Sequence, residues 1–116
     1  ENVKDPHDPE IVAHTARIGA ECGADIVKTL YTGDIDSFKK VVESIPVPVV
    51  IAGGPKSKTD LDILQMTEDA MDAGAKGVTY GRNIFAHKSP DKLVDALAGI
   101  IFRKESAKEM AKKIGK

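Results

Sequence analysis

The chain has 116 residues, 41% of them hydrophobic and 30% charged, which is one small domain with material for a core rather than a disordered tail. Aromatic residues make up only 4%, with no Trp, which argues against an aromatic platform for stacking single-stranded nucleic acid. Seventeen Lys and Arg against eighteen Asp and Glu leave a net charge of −1, the wrong balance for coating nucleic acid or an anionic membrane.

The first element signal is Asp8-Pro9-Glu10. Asp8 can accept from the free amides of a first helical turn, and Pro9 suits the first helical position. Ile11, Thr15, Ile18 and Cys22 then share one helical stripe, with Val12, Ala16 and Gly19 beside it, and Gly23 sits where a left-handed cap ends a helix. Residues 24–29 read as a short strand, and residues 31–34 as a turn. A second helix is expected from Ile35 to Ser44, capped by Asp34 or Asp36, with Ile35, Phe38, Val41, Val42 and Ile45 facing inward. Pro46-Val47-Pro48 breaks it. Val49-Val50-Ile51-Ala52 is continuously apolar, as a strand of a parallel sheet buried on both faces would be.

Gly53-Gly54-Pro55-Lys56 reads as a loop. A third helix follows from about Asp60 to Ala73, burying Leu61, Ile63, Leu64, Ala70 and Met71, with Gly74 as its stop. Residues 77–80 form the third strand, running into Gly81-Arg82-Asn83, and a short helical turn is expected at 84–86. Ser89-Pro90 repeats the cap-then-proline start before an apolar stripe of Leu93, Val94, Leu97, Ile100 and Ile101. Residues 103–116 hold six basic and two acidic residues with Ala107, Met110, Ala111 and Ile114 at helical spacing, which predicts a basic amphipathic terminal helix packed along one side.

A helix followed by three strand–helix units predicts an α/β fold with a parallel sheet and right-handed crossovers. Three such strands leave one face and both edges uncovered. Closure into a (βα)8 barrel removes the problem and takes about eight units in roughly 250 residues. The chain therefore reads as one partial domain, the carboxyl-terminal part of such a barrel, with a small open sheet as the alternative. Opening on Glu1 rather than Met fits a piece of a longer protein. A single cysteine, Cys22, allows no internal disulfide and suits a reducing cytoplasm, and it is expected to be a small core residue. No apolar run is long enough to span a bilayer, and no signal peptide opens the chain.

In a β/α barrel, chemistry sits at the carboxyl ends of the strands. Three groups fall there: Lys28-Thr29, Gly53-Gly54 and Gly81-Arg82-Asn83. Alternation puts Ile26 and Lys28 on one face. If that face points into a barrel, desolvation disfavours the ammonium and leaves some neutral amine. Such an amine can attack a ketone, and the resulting iminium accepts electrons from a breaking carbon–carbon bond. A lysine that simply reaches water or a carboxylate is the alternative.

Glycines at 53, 54 and 81 would let backbone N–H groups approach a phosphate, with the planar fork of Arg82 beside them. A tight turn and a surface cation are the competing reading. Lys56 and Lys58 read as solvated loop residues, and Tyr31 and Tyr80 as packing residues that could also donate protons. His7, His14 and His87 show no metal-ligand spacing, so no metal is expected.

Four blocks in order, DPEIVAHTARIGAECGADIVKT, YTGDIDSF, PVVIAGGPK and GVTYGRNIF, resemble the archaeal-type class I fructose-bisphosphate aldolases and the related 2-amino-3,7-dideoxy-D-threo-hept-6-ulosonate synthases. The similarity runs from about Asp8 to about Phe102. It implies a (βα)8 barrel that works through a Schiff-base lysine, matched by Lys28, without cofactor or metal. It also implies a phosphorylated sugar substrate held by backbone amides matched by Gly53, Gly54, Gly81 and Arg82. The family's first-strand aspartate and the tyrosine of its Tyr-Pro-Arg-Gly segment match no residue of this chain, so the resemblance implies a carboxyl-terminal part lacking the full proton-transfer set. A homo-oligomer is expected of the full-length protein, with no nucleic-acid or membrane partner. The GDIDSF and AGGPK blocks, with Ala52 before the glycines, sit closer to the synthase branch, which serves aromatic amino acid biosynthesis.

Overall fold

A computed structural model describes residues 6–53 and 59–114. Helix α1 (Pro9–Glu21) leads into strand β1 (Val27–Thr29), helix α2 (Ile35–Glu43), strand β2 (Val49–Ala52), helix α3 (Asp60–Asp72) and strand β3 (Gly77–Thr79). A short helix α4 (Arg82–Phe85), then α5 (Pro90–Arg103) and α6 (Ala107–Ile114), complete the described chain. The strands pair in parallel in the order β1-β2-β3, with Lys28 opposite Val50 and Val50 opposite Gly77.

Local chemistry accounts for most boundaries. The Asp8 carboxylate accepts from Glu10 N–H at 2.9 Å and Pro9 opens α1. Gly23 and Gly74 take φ of 94° and 109° just past the ends of α1 and α3, a backbone state that an L side chain resists. Asp34, not Asp36, caps α2: its carboxylate accepts from the Ser37 N–H and hydroxyl, both at 2.8 Å, and these bonds hold it below its ordinary pKa. Thr59 caps α3 by accepting from Asp62 N–H at 3.1 Å. Ser89 precedes Pro90 as expected but makes no side-chain cap bond.

The helices pack on one face of the sheet. Val27, Val49 and Ile51 point into a core closed by Val12 and Ala16 of α1, Phe38 and Val41 of α2, and Ala70 of α3. A second cluster joins Ile63 and Leu64 of α3, Leu93, Leu97 and Ile100 of α5, and Ala107 and Met110 of α6. The terminal helix is therefore docked: Ala107 and Met110 are buried, and the Glu68 carboxylate accepts from Ala107 N–H at 2.6 Å. Several inward expectations fail at the edge of a stripe. Ile18, Ile35, Leu61 and Val94 are exposed, and so is Cys22; in α1 the stripe through Val12 and Ala16 meets the sheet and the one through Ile18 and Cys22 meets solvent.

Candidate active site

Strand alternation divides the sheet into a covered face and an open one. In β1, Val27 and Thr29 are buried while Lys28 is exposed. Ile26, on the same side as Lys28, is 59% exposed. The register carries this face across to Val50 and Ala52 of β2 and to Gly77 and Thr79 of β3. Lys28 thus stands on the uncovered face of an edge strand. Among the described residues, the helices that cover the sheet lie on its other face.

Gly53 and Gly81 lie at the carboxyl ends of neighbouring strands and are glycines for different reasons. A Cβ on Gly53 would sit 2.8 Å from Tyr80 Cδ1 and 3.0 Å from Asn83 Nδ2, so this position is glycine because the β3 end packs on it. A Cβ on Gly81 would meet nothing within 4 Å. Gly81 and Arg82 are exposed and open α4, with Asn83 buried behind them. Gly54, with Pro55, Lys56 and Lys58, lies outside the described residues. The register places Gly53 three residues beyond the partner of Lys28, about 10 Å along the strands. Among the described residues, Lys28, Gly53, Gly81 and Arg82 therefore lie toward one end of one sheet.

The tyrosines belong to the other face. Tyr31 is 6% exposed, its ring edge-on to Phe38 with centroids 5.2 Å apart. Burial, with Asp69, Asp34 and Asp72 nearby, pushes its phenol up to about 12. Tyr80 donates to or accepts from Thr67 Oγ1 at 2.7 Å, and burial raises its pKa as well. Both are packing residues of the covered side. Of the histidines, His7 Nδ1 lies 2.7 Å from Tyr31 O and His87 Nε2 lies 2.8 Å from Asp60 Oδ1. Neither pair carries a periodic sequence signal, since the partners lie 24 and 27 residues apart.

The signature of the DeoC/LacD family of aldolases matches residues 1–87. The chain belongs to that family. This aldolase-family chain is 40% identical over 99 residues to the 2-amino-4,5-dihydroxy-6-oxo-7-(phosphonooxy)heptanoate synthase of Streptomyces griseus, covering 85% of the chain and 36% of the relative. It is 42% identical over 97 residues to the 2-amino-3,7-dideoxy-D-threo-hept-6-ulosonate synthase of Halobacterium salinarum, covering 84% of the chain and 36% of that enzyme. The crystal structure of an archaeal fructose 1,6-bisphosphate aldolase superposes with a TM-score of 0.84 at 42% identity, over 88% of this chain and 41% of that one. A further archaeal fructose-1,6-bisphosphate aldolase structure, with its catalytic Lys covalently bound to the carbinolamine intermediate of the substrate, matches with a TM-score of 0.82 at 42% identity, over 86% of this chain and 40% of that one.

The chain spans a little over a third of the length of the curated relatives it matches. Its three strand–helix units are part of a (βα)8 barrel, and the open face is the side such a barrel turns inward. No helix among the described residues is long and apolar enough to cross a membrane.

Proposed function

We propose that the protein is a Schiff-base carbon–carbon lyase or transferase acting on a phosphorylated ketose, with Lys28 as the nucleophile. One observation carries this reading: Lys28 projects from the open face of the sheet, at the end where Gly53 and Gly81-Arg82 mark the turns of the next two strands. Closure of the barrel over this face would supply the desolvation that the isolated sheet lacks. The covalently engaged catalytic Lys of a 42%-identical archaeal aldolase supports the same assignment.

In the proposed step the neutral Lys28 amine adds to the ketose carbonyl, forming a carbinolamine that loses water to an iminium. A base removes the proton of the hydroxyl two carbons from the iminium carbon. The intervening carbon–carbon bond breaks, its electron pair enters the iminium as an enamine, and an aldehyde departs. Protonation of the enamine and addition of water release the ketone and regenerate the amine. In the transferase variant the enamine attacks a different aldehyde before hydrolysis. Backbone amides at Gly53, Gly54 and Gly81, with Arg82, would hold the phosphate and fix the carbonyl near the amine. The synthase relatives and the AGGPK block favour the transferase variant.

A cytoplasmic setting and self-association belong to the same proposal. Cys22 is an exposed free thiol, which suits a reducing compartment, and Phe85 and Phe102 are 86% and 80% exposed, apolar surface that a homo-oligomer would cover. Borohydride added to the native protein with a phosphorylated ketose should leave a reduced covalent adduct on Lys28, seen by peptide mass mapping. An adduct that persists in Lys28→Ala would overturn the assignment.

A further inference from the structure

We infer that Thr79 is a specificity-determining residue: its hydroxyl oxygen accepts a hydrogen bond from a ketose hydroxyl beside the carbonyl that Lys28 engages. This contact belongs to the site in which Lys28 forms the Schiff base, and it rests on that reading. Among the described strand residues, the open face presents Lys28 of β1, Val50 and Ala52 of β2, and Gly77 and Thr79 of β3. Of these, Val50, Ala52 and Gly77 have no polar side-chain atom. Lys28 and Thr79 carry the polar groups of the surface, and both are exposed. An amine to form the iminium and a hydroxyl to read the carbon next to it therefore share one otherwise apolar face.

The hydroxyl is already oriented. Thr79 Oγ1 donates to Ile51 O of the neighbouring strand at 3.3 Å. A hydroxyl has one proton and two lone pairs, so with its proton on a carbonyl Thr79 presents only acceptors. The ligand group that meets it must donate, which selects a hydroxyl over a carbonyl oxygen. The spacing suits a short carbon chain. Lys28 pairs with Val50 and Val50 with Gly77, so Thr79 lies two strands across from Lys28 and two residues nearer the carboxyl ends. Strand geometry makes that about 10 Å across and about 7 Å along, or about 12 Å between Cα atoms. The extended lysine side chain, with its four-carbon stem, covers about half of the gap. A ketone carbon with its neighbouring hydroxyl fills the remainder. Ala52, paired with Thr79, stands between the two groups, and its single methyl leaves the space open.

Valine forms strands as well as threonine does and differs from it by a methyl in place of the hydroxyl, so Thr79→Val isolates the proposed contact. The native protein is treated with borohydride and either dihydroxyacetone phosphate or acetol phosphate, which differ by the one hydroxyl beside the carbonyl. Peptide mass mapping gives the ketone concentration that produces half-maximal adduct on Lys28, and thermal unfolding reports the state of each variant. The wild type should need about three- to tenfold less dihydroxyacetone phosphate than acetol phosphate, the scale of one neutral hydrogen bond. Thr79→Val should lose that preference by needing more dihydroxyacetone phosphate, with the acetol phosphate concentration unchanged. Thr79→Ser, which keeps the hydroxyl, should restore it.

Equal half-maximal concentrations of the two ketones in the wild type would overturn the inference, even if Thr79→Val failed to fold. So would a preference that survives in Thr79→Val, an equal loss for both ketones, or a Thr79→Ser no better than Thr79→Val at the same unfolding temperature. The two readings fail differently. Absence of any adduct on wild-type Lys28 would sink the Schiff-base reading and the contact with it, whereas an adduct on Lys28 with an unchanged preference in Thr79→Val would sink the contact alone.

Discussion

On the helix side of the sheet, Val27, Val49 and Ile51 are all at most 6% exposed and meet Phe38, Val41 and Ala70. On the other side, Ile26 is 59% exposed and Lys28 stands in the open. The same three strands thus present a finished core and an unfinished one. The difference teaches where stability and chemistry are kept apart. Side chains that hold the fold alternate with side chains that are free to act, and the period of two in a strand separates them by a single residue. Tyr31 and Tyr80 fall on the structural side, packed away from the open face, where burial raises both phenols.

This contrast can be broken in graded steps. Phe38→Ala, at a fully buried position, should cost about 3–5 kcal/mol in denaturant unfolding. Gly53→Ala, forced against Tyr80 and Asn83, should lose about 1–3 kcal/mol, whereas Gly81→Ala should leave stability within about 0.5 kcal/mol. Thermal melts of the two alanine variants side by side separate a packing glycine from an open one. Ile26→Ala should cost less than about 0.5 kcal/mol in the 116-residue chain, and a cost near that of Phe38→Ala would mean that the open face is covered in solution.

The smallest effect concerns Tyr31, whose hydroxyl is buried without a partner among the described residues. Tyr31→Phe should be neutral or slightly stabilising at pH 8. Its pH dependence gives the sign. The phenol rises from 10.0 in the unfolded chain to about 12 in the fold, so its contribution is complete below pH 10 and is lost as pH climbs through 12. Unfolding midpoints of the wild type should fall over that window more steeply than those of Tyr31→Phe.

The sites of these effects differ in how far residues announced them. Asp8-Pro9, Gly23 and Gly74 marked helix ends because caps depend on neighbours one to three residues away. The placement of Lys28 beside Ile26 on one face follows from alternation alone. By contrast, Ile11 through Cys22 and Val12 through Ala16 are both apolar stripes of α1, and only docking on β1 decides which is buried. The reading of Gly53 as a phosphate glycine missed its packing partner Tyr80, which comes from the next strand. The His87–Asp60 bond offered no signal at all, since its partners lie 27 residues apart.

What the sequence determined by itself is the local grammar of this protein: an alternation of helix and strand, the caps that bound them, and a lysine and glycines set at strand ends. Those features are written in residues close along the chain, where propensity, capping and periodicity act. The tertiary structure alone decided which helix stripe is core, why Gly53 has no side chain, and how His87 reaches Asp60. Those depend on groups brought together by parallel pairing and helix docking, whose partners lie as far as 27 residues apart and leave no periodic trace.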